Sequence, residues 1–382
     1  MPQRLEKVDR LLEFLEENID EQHCTEALQR HMDAINGKIG CKAPLSVYCN
    51  MDHELFPNTE AYNDPEKMLY NELVQAGEFG SVLNSVIMKD DYPLQIRSDH
   101  GVVIMHNLVG GRYTLKEGST PWAEHVESIS EYRREWEDKL YDPYTGVPGK
   151  VIETYHYYAD RLSEYPLCKR FIRLSLPDMQ GPFSIAASLL GNDIFYEIYD
   201  HSDDIHWLLD KITNAYIEFY KIIAPKVNNF TPDGSGTYVM GAIFPGTVLL
   251  KEDTSSACLS GDQISEFCTP YNKKISDELG AVSIHYCGRS QPFHHTAYKT
   301  PKLRGINFGD PQKQDMMDIC KNWRDNGVAI INWGYHQPPG FLHKTLASLD
   351  TTGFTLCCSV NSLEEGCELI KRYREEGIAA LK

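Results

Sequence analysis

The sequence predicts an α/β protein, specifically a (β/α)8 or TIM barrel with an N-terminal helical extension and a hairpin insertion. Two observations favour this fold class. Eight short apolar segments alternate with segments of helical period, which is the order of strands and helices in a parallel barrel. Polar or metal-binding side chains follow those apolar segments. The C-terminal ends of the strands of a barrel meet at one face, and active sites lie at that face.

The chain begins with a segment of helical character. Between residues 3 and 36 apolar side chains recur at helical spacing, as at Leu5, Val8 and Leu11. This pattern predicts two helices before the first strand. No Pro/Gly/Ser-rich linker divides the rest, so we expect a helical extension over residues 1–40 and one barrel domain over residues 41–382.

The first half of the predicted barrel contains short apolar runs. Residues 44–49 are typical of a buried first strand, and residues 81–88 favour a second. The β-branched alternation around Gly101 predicts a hairpin insertion over residues 92–113. Residues 171–176 then supply a third barrel strand.

The second half has clearer boundaries. A long amphipathic helix is predicted over residues 203–227 with Ser202 as its N-cap, and residues 237–243 are interpreted as the fourth strand. Ser260 and Gln263 form a capping box that opens a helix ending at Gly280. The remaining strands are predicted at residues 281–286, 303–308, 328–332 and 354–357.

The composition restricts the function classes. The 382 residues are 42% hydrophobic and 24% charged, as in ordinary globular proteins. With 37 basic against 55 acidic residues, the formal charge of −18 argues against nucleic acid or an anionic membrane as the main partner. The charged start resembles no signal peptide, and no long apolar run is present, so we expect a cytoplasmic protein with reduced cysteines.

Two predicted strand ends carry soft metal ligands. His285 and Cys287 end one apolar run, and Cys357 and Cys358 end another. Alternate strand residues share a face, so His285 and Cys287 face the same way, and one of the two adjacent cysteines faces the barrel axis. A His nitrogen with two thiolates suits Zn²⁺ and leaves a fourth position open, which favours alkyl transfer to a thiol.

Further candidates follow other strands. Asp178, Gln180 and Asp253 are candidate catalytic residues that would orient the substrate at the barrel mouth. The candidate substrate-binding residues are the polar groups Tyr48, Asn50, Asn307 and Asn332. An alternative remains open, in which the cysteines are simply buried apolar residues of a metal-independent barrel that binds a small ligand.

Four segments carry a resemblance to a known family. They are YPLQIRSDHG, LPDMQGPFSIAASLLG, KEDTSSACLSGDQISEFCTPYNKKISDELG, and the stretch from IHYCG to GFTLCCSV. Over residues 40–375 the chain resembles the uroporphyrinogen decarboxylase superfamily. It is more similar to the methyltransferase branch, whose zinc enzymes move a methyl group from a corrinoid protein to a thiol such as coenzyme M.

The resemblance implies a cofactor and partners. Zinc would be bound by His285, Cys287 and either Cys357 or Cys358, although the family has one Cys in a Gly/Pro-rich loop where this chain has two before SVNSLEE. Methylcobalamin would be a substrate carried by a small corrinoid protein, with a small molecule as methyl acceptor or donor. An exposed apolar face on the N-terminal helices would favour a homodimer.

Decarboxylation is the runner-up activity. Enzymes of the decarboxylase branch bind the acetate groups of a porphyrinogen with an Arg-rich motif after the first strand. In this sequence, the first strand continues from Tyr48 to Asp52 without an Arg. Binding an octa-carboxylate without such cations would be electrostatically unfavourable in a chain of charge −18. The sequence therefore predicts zinc-dependent methyl transfer.

Overall fold

The structure, a computed structural model, describes residues 2–49, 53–75, 79–227 and 229–382. The predicted site residue Asn50 lies outside the described residues. The strands are β1 (Leu45–Cys49), β2 (Gln95–Ile96), β3 (Tyr113–Thr114), β4 (Trp122–Ala123), β5 (Arg173–Leu174), β6 (Gly236–Val239), β7 (Ala242–Pro245), β8 (Val248–Lys251), β9 (Val282–Tyr286), β10 (Leu303–Phe308), β11 (Ala329–Trp333) and β12 (Phe354–Val360).

Helices connect most of these strands. They are α1 (Glu6–Asn18), α2 (Glu21–Ile35), α3 (Asn58–Ala61), α4 (Pro65–Val74), α5 (Val82–Met88), α6 (Val103–Leu108), α7 (Ile129–Trp136), α8 (Gly146–Leu162), α9 (Pro166–Phe171), α10 (Pro182–Leu190), α11 (Ile194–Asp200), α12 (Ser202–Val227), α13 (Asp253–Cys258), α14 (Gly261–Phe267), α15 (Thr269–Leu279), α16 (Gln291–Thr296), α17 (Met316–Asn322), α18 (Pro339–Leu346) and α19 (Leu363–Glu376).

A six-stranded parallel sheet positions the site. Its order is β1-β12-β11-β10-β9-β8, so strands from the two ends of the chain lie side by side. All residues of β8, β9 and β11 are buried, as expected for parallel strands covered on both faces. The predicted α/β class with a parallel sheet is confirmed.

A second, short parallel pair joins β2 to β5. Within the part of the chain that the structure describes, no strand ladder links this pair to either edge of the six-stranded sheet. The eight parallel strands expected of a barrel are therefore divided between two sheets, and closure into a (β/α)8 barrel stays a prediction.

Two predictions in the first half are wrong. Residues 81–88 form helix α5 instead of a strand, because the Ser81 side chain accepts a hydrogen bond from the Asn84 N–H at 3.0 Å and caps the helix. Residues 92–113 do not form a hairpin insertion. They contain strand β2, which pairs with β5, and helix α6, which follows a turn with Gly101 at φ 65°.

The fourth-strand prediction over residues 237–243 is also wrong. That segment belongs to the antiparallel pair β6–β7, whose turn places Met240 at φ 49° and Gly241 at φ 68°. Two successive positive φ values are typical of a tight hairpin turn. The strand that enters the parallel sheet is β8, and Ser283 of β9 donates a hydrogen bond to Pro245 O at 2.7 Å, so the hairpin packs at the N-terminal end of β9.

The N-terminal helices lie where the sequence predicts them. The apolar stripe of α1, which includes Leu12 and Leu15, is buried against the rest of the chain. The buried Arg161 of α8 joins this contact by ion pairs to Asp9 and Glu66 at 2.6 and 3.2 Å. The apolar face of α1 is thus covered within the monomer, and both the domain division at residue 40 and the homodimer stay predictions.

The structure also bears on membranes. Among the residues that the structure describes, no helix has the length and apolar character needed to cross a bilayer.

Candidate metal centre

Three potential ligands meet at the C-terminal ends of β8 and β9. Asp253 begins helix α13 directly after β8, while His285 lies in β9 and Cys287 directly follows it. The parallel ladder pairs Lys251 with His285, and the Glu252 N–H donates a hydrogen bond to His285 O at 2.8 Å. The two strand ends are therefore held side by side.

The ligand atoms are close enough to share one ion. One ligand atom from each of Asp253, His285 and Cys287 lies within 4.8 Å of the others. His285 Nε2 is 3.7 Å from Cys287 Sγ and 3.7 Å from Asp253 Oδ1. The Cys287 N–H also donates to Asp253 Oδ1 at 2.7 Å, which fixes the carboxylate beside the thiol.

Asn307 of β10 sets the tautomer of His285. Asn307 Nδ2 donates to Ile331 O at 2.7 Å, so its Oδ1 is left to accept from His285 Nδ1 at 2.6 Å. The proton therefore lies on Nδ1, and Nε2 presents its lone pair to Asp253 and Cys287. Burial lowers the pKa of His285, against the opposing charge of Asp253, which favours the neutral imidazole that metals bind.

Cys287 is the accessible member of the group. Loss of hydration, followed by the negative charge of Asp253, raises the pKa of its thiol to about 12 in the absence of a metal. Gly309 packs against it, since a Cβ placed at this glycine would overlap Cys287 Sγ and crowd the His285 ring. A metal would have to displace the thiol proton, which couples binding to proton release.

A buried charge network lies beside these three potential ligands. Asp178 accepts from Lys251 Nζ at 2.8 and 3.0 Å and from Gln180 Nε2 at 2.6 Å, and Arg97 Nη1 is 3.8 Å away. Burial raises the pKa of Asp178, but the charges of Lys251 and Arg97 outweigh that effect, and the pKa is lowered. Asp178 therefore remains ionised and anchors both cations.

The surroundings are acidic on balance. Arg97 also donates to Asp99 Oδ1 at 2.8 Å and, from its backbone N–H, to Glu72 Oε2 at 2.8 Å. Burial, together with the charge of the neighbouring Asp99, raises the pKa of Glu72 to about 8. Among the residues that the structure describes here, the two buried cations Arg97 and Lys251 are thus outnumbered by the carboxylates of Asp99, Asp178 and Asp253.

The sequence analysis found part of this network. Asp178 and Gln180 were predicted as residues that orient the substrate, and the structure places them in contact with each other. Lys251 and Arg97 were missed. Their signal was present, because each cation stands two residues before an aspartate, in KED and RSD.

The predicted substrate-binding residues occupy different places. Asn307 supports His285, as described above. Asn332, at the end of β11, has a φ of 49°, and its N–H donates to Thr355 Oγ1 at 2.8 Å. The Tyr48 ring packs edge-on to the His336 ring with centroids 5.9 Å apart. Their contact with a substrate stays a prediction.

Cys357 and Cys358 lie inside β12. Both are buried, and their ladder partners in β1 are Ser46 and Val47. Two strands separate β12 from β9, and three strand spacings of about 4.8 Å amount to about 14 Å along the sheet. Burial raises the pKa of both thiols. Neither belongs to the group formed by Asp253, His285 and Cys287.

Comparison with known proteins extends the description of the fold. No protein-family model and no curated protein matches the sequence. Among solved structures, the chain is similar to a methyltransferase from Methanosarcina mazei, with a TM-score of 0.62 and 13% sequence identity. The match covers 91% of this chain and 98% of that one. At this identity, the similarity establishes a shared fold over nearly the whole chain.

Proposed function

We propose that this protein is a zinc-dependent methyltransferase that moves a methyl group between a corrinoid and a thiol or other acceptor. The observation that carries the proposal is the convergence of Asp253, His285 and Cys287 at the C-terminal ends of β8 and β9. The shared fold with a methyltransferase from Methanosarcina mazei supports methyl transfer as the reaction class. The acidic, polar surroundings of the group support a site of catalysis.

The donor set fits zinc. Sulfur, imidazole nitrogen and carboxylate oxygen are its usual ligands, and tetrahedral coordination at ordinary bond lengths separates two ligand atoms by about 3.3–3.6 Å. The two separations of 3.7 Å from His285 Nε2 need only a small contraction. We propose Asp253 as the third ligand, in the position that the sequence had given to Cys357 or Cys358.

Three protein ligands would leave a fourth position for the acceptor. Zinc would lower the pKa of an acceptor thiol bound at that position and would keep its sulfur nucleophilic. Cys287 is solvent-accessible, so the acceptor can approach from that side and release its proton to water. Methylcobalamin would supply the methyl group: the acceptor sulfur would bond to the methyl carbon as the carbon–cobalt bond breaks, and the electron pair of that bond would stay with cobalt.

Residues of the chain would prepare the acceptor for this reaction. Asn307 holds His285 in the tautomer that presents Nε2. Asp178 fixes Lys251, whose ladder partner is His285, so this end of β8 and β9 is held in place. We propose that a small corrinoid protein presents methylcobalamin at this end of the sheet, in the cytoplasm.

The charge balance disfavours the runner-up activity. A porphyrinogen decarboxylase must hold several substrate carboxylates, which requires unpaired cations. Arg97 and Lys251 are both engaged with carboxylates of the chain. The acidic balance around them favours a metal cation in place of a polyanionic substrate.

The test is a methyl-transfer assay on the zinc-loaded protein. Methylcobalamin is mixed with a panel of small thiols that includes coenzyme M, and its loss is followed by absorbance. We expect thiol-dependent demethylation that falls by about a hundredfold or more in His285→Ala, since the metal supplies several kcal/mol of stabilisation. The matched control His201→Ala, at a surface His paired with Glu197, should retain the rate. Equal rates in both variants would refute the proposal.

A further inference from the structure

A cavity is present that shares no residue with the metal centre. It has a volume of about 220 Å³ and is enclosed by α2, α5, α9 and the hairpin strand β6. Its walls are largely apolar, with contributions from Ala27, Leu28, Val86, Leu94, Phe171 and Tyr238. The metal centre contributes no residue to it.

The cavity is at the opposite end of the sheet from the metal centre. Asp90, one of its lining residues, precedes Asp91, which exchanges two hydrogen bonds of 3.0 Å with Leu45, the first residue of β1. Another lining residue, Arg173, is the first residue of β5. Asp253, His285 and Cys287 follow or end their strands, so the two sites are at opposite strand ends.

Charged side chains also line the cavity. They are the cations Lys89, Arg170 and Arg173 and the carboxylates Asp20 and Asp90. Lys89 pairs with Asp20, and Arg170 pairs with Glu21 outside the cavity, so Arg173 is the cation that remains. A guanidinium of this kind attracts anions.

Both carboxylates are already engaged. Asp20 caps α2 by accepting from the His23 N–H at 3.0 Å, and it also pairs with Lys89 Nζ at 2.7 Å. Asp90 accepts from the backbone N–H groups of Val47 and Tyr92. Lys89 therefore balances the charge of Asp20, and burial raises the pKa of Asp90 to about 7, which favours its uncharged form.

Arg173 is the cation without a counter-ion. In the described segments Arg173 has no ion pair, and its guanidinium lies 5.9 Å from the centre of the Tyr238 ring. Arg170, in contrast, pairs with Glu21 at the surface. A guanidinium in a partly apolar cavity binds a carboxylate with two parallel hydrogen bonds.

We propose that this cavity binds a small organic carboxylate with a short apolar chain. The carboxylate would pair with Arg173, and the chain would pack against Leu28, Val86 and Phe171. The volume is below the range of about 300–1,000 Å³ typical of pockets for drug-sized ligands, so the ligand is small. This site is independent of the methyltransferase proposal.

The experiment is calorimetric titration of the metal-free protein, treated with a chelator so that no metal can bind the probe. Acetate, butyrate and hexanoate are the probes, with hexanol and hexylamine as neutral and cationic counterparts of hexanoate. We expect affinity to rise from acetate to hexanoate, and we expect no binding of hexylamine and weaker binding of hexanol. Absence of hexanoate binding, or equal binding of hexanol, would overturn the proposal.

Variants locate the binding. Arg173→Gln should weaken hexanoate binding about tenfold or more, the size of a lost charge-assisted hydrogen bond. Arg112→Gln, at a side chain that is 85% exposed, should leave it unchanged. If Arg173→Gln does not fold, Arg173→Lys replaces it in the titration. It keeps the charge but cannot form the two parallel hydrogen bonds, so hexanoate affinity should still fall.

Cys287→Ala tests whether the ligand binds at the metal centre instead, and this variant should bind hexanoate as the native chain does. A loss in Cys287→Ala with retention in Arg173→Gln would move the ligand to the metal centre.

Discussion

Cys287 and the pair Cys357–Cys358 lie at corresponding places in sequence, each near the end of a parallel strand, yet their surroundings differ. Cys287 is exposed beside Asp253 and His285, whereas Cys357 and Cys358 are buried in β12. The difference follows from where each strand stops. β9 ends at Tyr286, but β12 continues to Val360.

The strand end determines which cysteine lies beside other potential metal ligands. Past β9, the Cys287 N–H leaves the ladder and donates to Asp253, which brings a carboxylate to the thiol. Within β12, Cys357 and Cys358 pair with Ser46 and Val47 of β1, and they are enclosed as small apolar side chains. Residue type alone therefore does not identify the third ligand.

The largest expected effect separates these two regions directly. Asp253→Ala and Cys287→Ala should each lose the bound zinc, because each removes one of three protein ligands. Cys357→Ala and Cys358→Ala should each retain about one zinc per chain. The measurement is elemental analysis of the purified proteins after reconstitution with zinc under reducing conditions.

A measurement of folding is the control for all four variants. Urea unfolding of each shows whether a loss of zinc comes from a loss of fold. Zinc retained in Asp253→Ala but lost in Cys357→Ala or Cys358→Ala, with folding intact, would return the third ligand to β12. It would also remove the contrast between the two strand ends.

The next effect concerns the space beside Cys287. Gly309→Ala should lower zinc affinity nearly as far as Cys287→Ala does, because the new methyl group overlaps Cys287 Sγ and crowds His285. Gly340→Ala is the matched control, since a Cβ there has no atom within 4 Å. Competition with a chromogenic chelator measures both affinities. An affinity equal to that of the native protein in Gly309→Ala would show that Cys287 is not a ligand.

Much of the fold could be predicted from the sequence where a long or capped pattern was present. The helix predicted over residues 203–227 is α12, and the capping box of Ser260 and Gln263 opens α14. The strand over residues 303–308 has the predicted bounds. These elements combine a clear period with definite ends, and local physics is enough to place them.

Short apolar runs were ambiguous. Residues 81–88 are apolar over the length of a strand, and only the cap at Ser81 indicates the helix. The segment after residue 236 contains three strands, where the sequence analysis placed one. Its hairpin depends on positive φ at Met240, a residue that gives no turn signal.

The sequence predicted only two members of the group formed by Asp253, His285 and Cys287 as neighbours. His285 and Cys287 are neighbours in sequence, so their common face follows from strand geometry. Asp253 reaches them only through the pairing of β8 with β9, and the sequence analysis had assigned β8 to the wrong segment. Long-range register decides which third side chain lies beside His285 and Cys287, and periodicity carries no information about it.

The smallest expected effect tests how firmly the β9 end is organised. Asn307→Ala removes the oxygen that accepts the hydrogen bond from His285 Nδ1. The loss should weaken zinc binding about 10–100-fold, the usual effect of removing a group that accepts a hydrogen bond from a metal-bound His. Asn214→Ala, at an exposed position of α12, is the control. Chelator competition measures the affinity. An unchanged affinity in Asn307→Ala would mean that β9 alone orients the imidazole, and the contrast with β12 would then depend on strand length and not on the support from β10.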